Sequence, residues 1–408
     1  MLDILDSLNK VEQKKREAVR FSCVAFTQTR ECRDLIEEAF CFEGIPTPTF
    51  ANNSDETIKS HVRQQDVEVA LVELSKSSDV TADMQRISHL LPNDSSVIVI
   101  GGEDAISTIR NLKDMGFYYL FWPATKLEVV DFIKNVYRNR EQESGLGKKR
   151  SAKSIAVWGC SGGVGTSLIA AELSNNLSRN QNAKCLLVDH DYYSGNLDII
   201  LKLEDFEKRT LSIAAVDSEF DDTYAASMTK KVNDLLSILS ITSDSHSSLE
   251  LKEYTRVMES LLSEQNNFII SDLSKGGQTN VDYQYLTETA DTVVLIFTPA
   301  ISSLRQLKKV SDNLSAQAPD LRKIMVLNHV QPSKATVLTT KDVTDFLERP
   351  VDVEIQFEPG LLKHIVNGGY LSESRLSVAS SLKELTAVIL GEGGAYNHKP
   401  VKKKWFSF

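Results

Sequence analysis

The stretch SIAVWGCSGGVGTSLIAAELSNNLS (154–178) reads as a buried strand, a glycine-rich turn and a helix. The apolar run ends at Gly159, and Gly162, Gly163 and Gly165 follow within six residues. Such a turn suits oxyanions, because glycines let backbone N–H groups approach them while the N-terminus of the next helix adds a favourable dipole. The same pattern also makes a plain strand-to-helix turn, so the loop alone does not decide a function.

Outward from this loop, apolar strands alternate with helical spacings in both directions. Downstream, KCLLVDHD (184–191), NFIISDL (267–273), DTVVLIFTP (291–299), RKIMVLNHV (322–330) and PVDVEIQF (350–357) predict, with 154–159, a doubly wound α/β sheet over 154–390. Upstream, SCVAF (22–26), VEVALVEL (67–74), SVIVI (96–100) and YYLFW (118–122) predict a second, flavodoxin-like α/β domain over 20–140. Residues 141–153, charged and without apolar periodicity, are the linker between them. Residues 1–19 read as an amphipathic helix that serves as a docking or dimer element, with packing onto its own domain as the alternative. The tail 391–408 ends in HKPVKKKWFSF, whose Lys402, Lys403, Lys404, Trp405, Phe406 and Phe408 suit an anionic membrane surface as well as a solvated end.

Composition narrows the function. A formal charge of −10 argues against a body that neutralises nucleic-acid phosphates. Five cysteines without C-x-x-C spacing look like reduced thiols, and no apolar run approaches the ~20 residues that span a bilayer. The expectation is a cytoplasmic protein, attached to a membrane at most peripherally.

Laid over the K-G-G-x-G-K-[ST] signature of the ParA/MinD family of deviant P-loop ATPases, Gly162, Gly163, Val164, Gly165 and Ser167 match. Ser161 replaces the signature lysine and Thr166 the P-loop lysine. VDHDYYSGNLDIIL (188–201) resembles the family's switch segment, down to Asn196, Leu197 and Asp198. The resemblance implies that Gly162 to Ser167, Thr166 included, and Asn328 would contact ATP. It likewise implies that Ser167, Asp189 and Asp272 would hold Mg²⁺, and that Asp191 would position the attacking water. A charge-assisted contact is worth about 1.5–3 kcal/mol, so two missing lysines cost about 3–6 kcal/mol, or roughly two to four decades of affinity. Hydrolysis should suffer more than binding, because those charges stabilise the transition state. Lys275 is a conceivable substitute charge, or an ordinary surface lysine.

The upstream domain resembles a response-regulator receiver that has lost its chemistry. Phe26, Thr27 and Gln28 stand where the metal-binding acids would be, Glu73 at the acceptor position, Gly101 at the hydroxyl position and Trp122 before Pro123 where lysine would stand. An atypical receiver ahead of a degenerate ParA/MinD-like domain is the architecture of the TadZ/CpaE family. That resemblance implies a scaffold for Tad (Flp) pilus assembly at the cell pole, recruiting the secretion ATPase and inner-membrane platform proteins, with a homodimer among its expected forms. The alternative is a working MinD- or ParA-like ATPase that cycles between nucleotide states.

Overall fold

The computed structural model describes residues 22–43, 45–142, 150–211, 221–274, 280–367 and 369–391. The expected N-terminal helix, the basic tail, Lys275 and most of the linker lie outside the described residues. The chain divides into two compact units, Met1–Arg150 and Ser151–Phe408. Among the described residues no helix is long and apolar enough to cross a membrane, and all five cysteines are unpaired.

The first unit is a parallel sheet of β1 (Cys23–Thr27), β2 (Thr49–Asn52), β3 (Val69–Glu73), β4 (Ser96–Gly101) and β5 (Tyr118–Phe121), ordered β2-β1-β3-β4-β5. Its helices are α1 (Arg30–Glu43), α2 (Asp55–Gln64), α3 (Val80–Ile87), α4 (Ile106–Asp114) and α5 (Lys126–Gln142). Alternation along the strands sorts the core into two faces. Val24, Phe26, Val72 and Val99 pack with Ile58, Met84 and Leu112 of α2, α3 and α4, whereas Ala25, Leu71 and Ile98 pack with Ile36 and Phe40 of α1 and Ile133 of α5. β3 is buried at every position because both its faces are covered, which is why it reads as an unbroken apolar run. β2 was absent from the sequence reading. Its four residues TFAN are half-exposed at the sheet edge and carry no run to detect.

β3 ends in a carboxylate inside this core. Glu73 Oε2 accepts from the backbone N–H groups of Gln28 at 2.6 Å and Thr29 at 2.9 Å, and Oε1 accepts from Thr29 Oγ1 and Ser75 Oγ, each at 2.6 Å. Burial by itself would raise the pKa of this carboxyl, but these four bonds outweigh it and hold the pKa below the ordinary value. The group therefore clasps the β1–α1 turn to the end of β3. At the neighbouring strand end, a Cβ on Gly101 would lie 2.8 Å from the Tyr119 hydroxyl, which instead binds the Glu103 backbone.

The second unit has β6 (Lys153–Gly159), β7 (Cys185–Asp189), β8 (Arg209–Thr210), β9 (Thr229–Lys231), β10 (Leu236–Thr242), β11 (Phe268–Leu273), β12 (Thr292–Phe297), β13 (Arg322–Asn328) and β14 (Val353–Ile355). The order is β14-β13-β12-β6-β11-β7-β10-β8, parallel throughout, with β9 antiparallel on β10. One face is covered by α6 (Thr166–Arg179) and a C-terminal helix (Ser377–Leu390), the other by helices at Ser248–Leu262, Asn280–Thr289 and Ile301–Gln317. The chain winds one way from β6 out to β8 and then back through β11 to β14, so the carboxyl end of β6 lies where the strand order reverses. The sequence reading omitted β8, β9 and β10.

Glu73→Ala should destabilise the first unit by about 3 kcal/mol, because four donors lose their shared buried acceptor. Hydrogen exchange across residues 26–33 should speed up in step. In the wild type the depressed pKa sets the sign with pH: the stabilisation is complete at neutral pH and is lost as pH falls through the folded-state value.

Candidate functional site

The site is laid out by strand register. Across the carboxyl ends of three adjacent parallel strands, Asp272 of β11 pairs with Asp189 of β7, and Asp189 with Ser240 of β10. Two carboxyls thus stand side by side, 1% and 2% exposed. On the other flank of β11, Leu273 pairs with Trp158 of β6, which leads into the glycine loop.

That loop has the conformation its glycines allow. Gly163 has φ +72° and Gly165 φ +90°, the left-handed region that glycine enters without strain. A Cβ on Gly162 or Gly163 would meet nothing within 4 Å, so no packing inside the chain calls for glycine there. An open glycine backbone at the start of a 14-residue helix is the form of a phosphate cradle.

The two replaced lysine positions are turned to structural use. Ser161 Oγ donates to Ser303 Oγ at 3.1 Å, and that hydroxyl in turn receives the Thr298 N–H at 3.1 Å, tying the loop to the end of β12. Thr166 is buried, its hydroxyl so close to Gly159 that any side chain there would overlap it. Asn328, at the end of β13, donates from Nδ2 to the Val164 carbonyl at 2.8 Å and buttresses the loop. A Cβ on Gly165 would come within 2.7 Å of that amide nitrogen.

The expected metal residues meet one another. Burial, together with the charge of Asp189 beside it, pushes the Asp272 carboxyl from an ordinary 3.8 up to about 6, against an opposing hydrogen bond from Ser167. Asp272 Oδ1 also receives the Ser274 N–H at 3.0 Å. Asp189 is engaged at both oxygens: Oδ1 accepts the Asp191 N–H at 2.9 Å, and Oδ2 accepts Ser240 Oγ at 2.8 Å and Lys208 Nζ at 2.6 Å. Asp191, expected to position water, closes its own turn instead, with Oδ1 accepting from the N–H groups of Ser194 at 3.0 Å and Tyr193 at 3.4 Å. Asn196 immediately precedes the helix Leu197–Leu201, and Asp198 lines a cavity of ≈ 230 Å³ with Asp189, Tyr193, Phe206 and Lys208.

The phosphate part of the site therefore fits a nucleotide, and the metal part as arranged does not. Its carboxylates are committed to protein donors, and among the described residues no three acidic, histidine or cysteine side chains converge as a ligand set. Sequence reasoning missed Ser240 and Lys208. Ser240 lies on the overlooked strand β10, where LSILSIT breaks its apolar pattern at just this residue, buried because it bonds Asp189.

No protein-family model matches the chain, and no curated protein matches it. Among solved structures it is similar to a ParA family ATPase from Chlorobium tepidum (18% identity, 58% of this chain and 99% of that one, TM-score 0.48). It is similar to the septum site-determining protein MinD from Pyrococcus horikoshii, solved with Mg-ADP (20% identity, 58% and 96%, TM-score 0.46). It is also similar to a chain of the MinC:MinD cell division complex from Aquifex aeolicus (22% identity, 59% and 97%, TM-score 0.46).

The raised pKa of Asp272 fixes a pH dependence. The unfolded chain ionises this group near 3.8 and the folded chain near 6, so its contribution is favourable at low pH and is lost as pH rises through that window. Asp272→Asn should therefore stabilise the fold above pH 6 by at most about 3 kcal/mol, with a higher thermal midpoint, and the gain should vanish below pH 4. Paired melting curves of the two proteins across that range are the check.

Proposed function

We propose that the chain is a localisation scaffold of the Tad (Flp) pilus machinery, with a ParA/MinD-like unit that binds ATP weakly and does not turn it over. The observation that carries this reading is the loop itself. Its open Gly162–Gly163 backbone supports phosphate binding, whereas Ser161 and Thr166 stand at both lysine positions and are engaged inward. Backbone N–H groups and the helix N-terminus can hold a phosphate, but the charges that would favour the transition state over the ground state are gone. On this reading ATP is a structural ligand: it orders the switch segment 189–198 against the loop and shapes a surface for partners. Gly162 to Ser167 would contact it.

The first unit supports the same reading. Its β2-β1-β3-β4-β5 order agrees with a flavodoxin-like, receiver-like fold. Glu73, at the acceptor position, is fully hydrogen-bonded within the core and offers no phosphoryl acceptor. Protein contact is then the remaining task, and the partners implied are the pilus secretion ATPase and the inner-membrane platform proteins.

Ser161→Lys with Thr166→Lys should tighten ATP binding by about tenfold or more, the least that one charge-assisted contact provides. Calorimetry on the two proteins measures it, and unchanged affinity would mean that this loop is not a phosphate site. In cells, a fluorescent fusion should form a polar focus; a diffuse signal with all other pilus genes present would sink the scaffold reading.

A further inference from the structure

The ammonium of Lys208 lies outside every motif in the sequence, yet it sits at the centre of the acidic row. Its side chain is 15% exposed and its partner Asp189 2%. Besides Asp189 Oδ2 it donates to Ser240 Oγ at 3.1 Å and to the Asp191 carbonyl. Three N–H donors thus meet three oxygens, the full capacity of an ammonium. We propose that Lys208 is a built-in counter-charge that stands in for a divalent cation at Asp189, so that this end of the acidic pair keeps its shape without metal.

The donor set is the first reason. A carboxylate, a hydroxyl and a backbone carbonyl drawn from β7, β10 and the following turn are the kinds of oxygen that a hard divalent cation recruits, and here the ammonium gathers them. Electrostatics is the second. A buried carboxylate needs a counter-charge, and Lys208 supplies one to Asp189 from within the chain. The third is the covering of the pair. A Cβ at Gly195 would lie 2.6 Å from Asp189 Oδ2 and 3.1 Å from Lys208 Nζ, so the switch backbone passes directly against the ion pair, which only glycine permits. An incoming cation would have to break these bonds and expel a buried charge, a costly exchange.

The inference does not rest on nucleotide binding, and its test uses the full chain without nucleotide. Manganese binding is followed by the loss of the free-ion electron paramagnetic resonance signal in the wild type, in Lys208→Met and in Asp189→Asn/Lys208→Met. Manganese affinity should rise by about tenfold or more in Lys208→Met and fall back in the double variant. Millimolar magnesium should raise the melting temperature of Lys208→Met but leave that of the wild type at its value in EDTA. Equal manganese affinity in the wild type and Lys208→Met would overturn the proposal, as would a folded Lys208→Met that gains none. If Lys208→Met does not fold in EDTA, either magnesium or the added Asp189→Asn should restore folding. Failure of both would overturn it too.

Discussion

Parallel strands in register place Asp272 and Asp189 side by side at the carboxyl edge of the second sheet, where neither can reach bulk water. Everything around them answers that constraint. Ser167, at the first turn of the loop helix, bonds to one acid, while Ser240 and Lys208 bond to the other. The turn from Asp191 to Gly195 folds across the pair, anchored by the Asp191 N–H to Asp189 and by the Asp191 carboxylate on its own backbone. A buried charge whose partner is removed costs several kcal/mol, so these contacts tie the Asp191 end of the turn to the strand edge. The face behind it is polar and closed as well: Glu259 accepts from Ser271 and from Tyr285, and its Oε1 lies 3.4 Å from His190 Nε2.

Both units resolve the same problem in the same manner. Each carries an acid at the end of a buried parallel strand. Each satisfies that acid with protein donors: backbone and hydroxyl groups at Glu73, an ammonium and a hydroxyl at Asp189. A carboxylate bonded at both oxygens by protein donors is a fastener.

Much of this was legible in the sequence because buried parallel strands are unbroken apolar runs. β3, β7, β11 and β12 are buried at every position and were found for that reason. The glycine loop was found because left-handed backbone at Gly163 and Gly165 demands that residue. The strand β10 escaped because its serines interrupt the run, and with it went the neighbour that tells what Asp189 does. Lys208 could not be read at all. It reaches Asp189 across 19 residues of chain through a turn whose course no local pattern encodes. The turn bond of Asp191 was not legible either: its carboxylate accepts from the backbone two and three residues on.

The central claim is that this loop and its acids form a binding and positioning device and not a catalyst. Phosphate release from ATP by the purified full chain, in the presence of magnesium, tests it most directly. The account predicts release no faster from the wild type than from Asp191→Asn or from buffer. Release that scales with protein concentration and disappears in Asp191→Asn would contradict it.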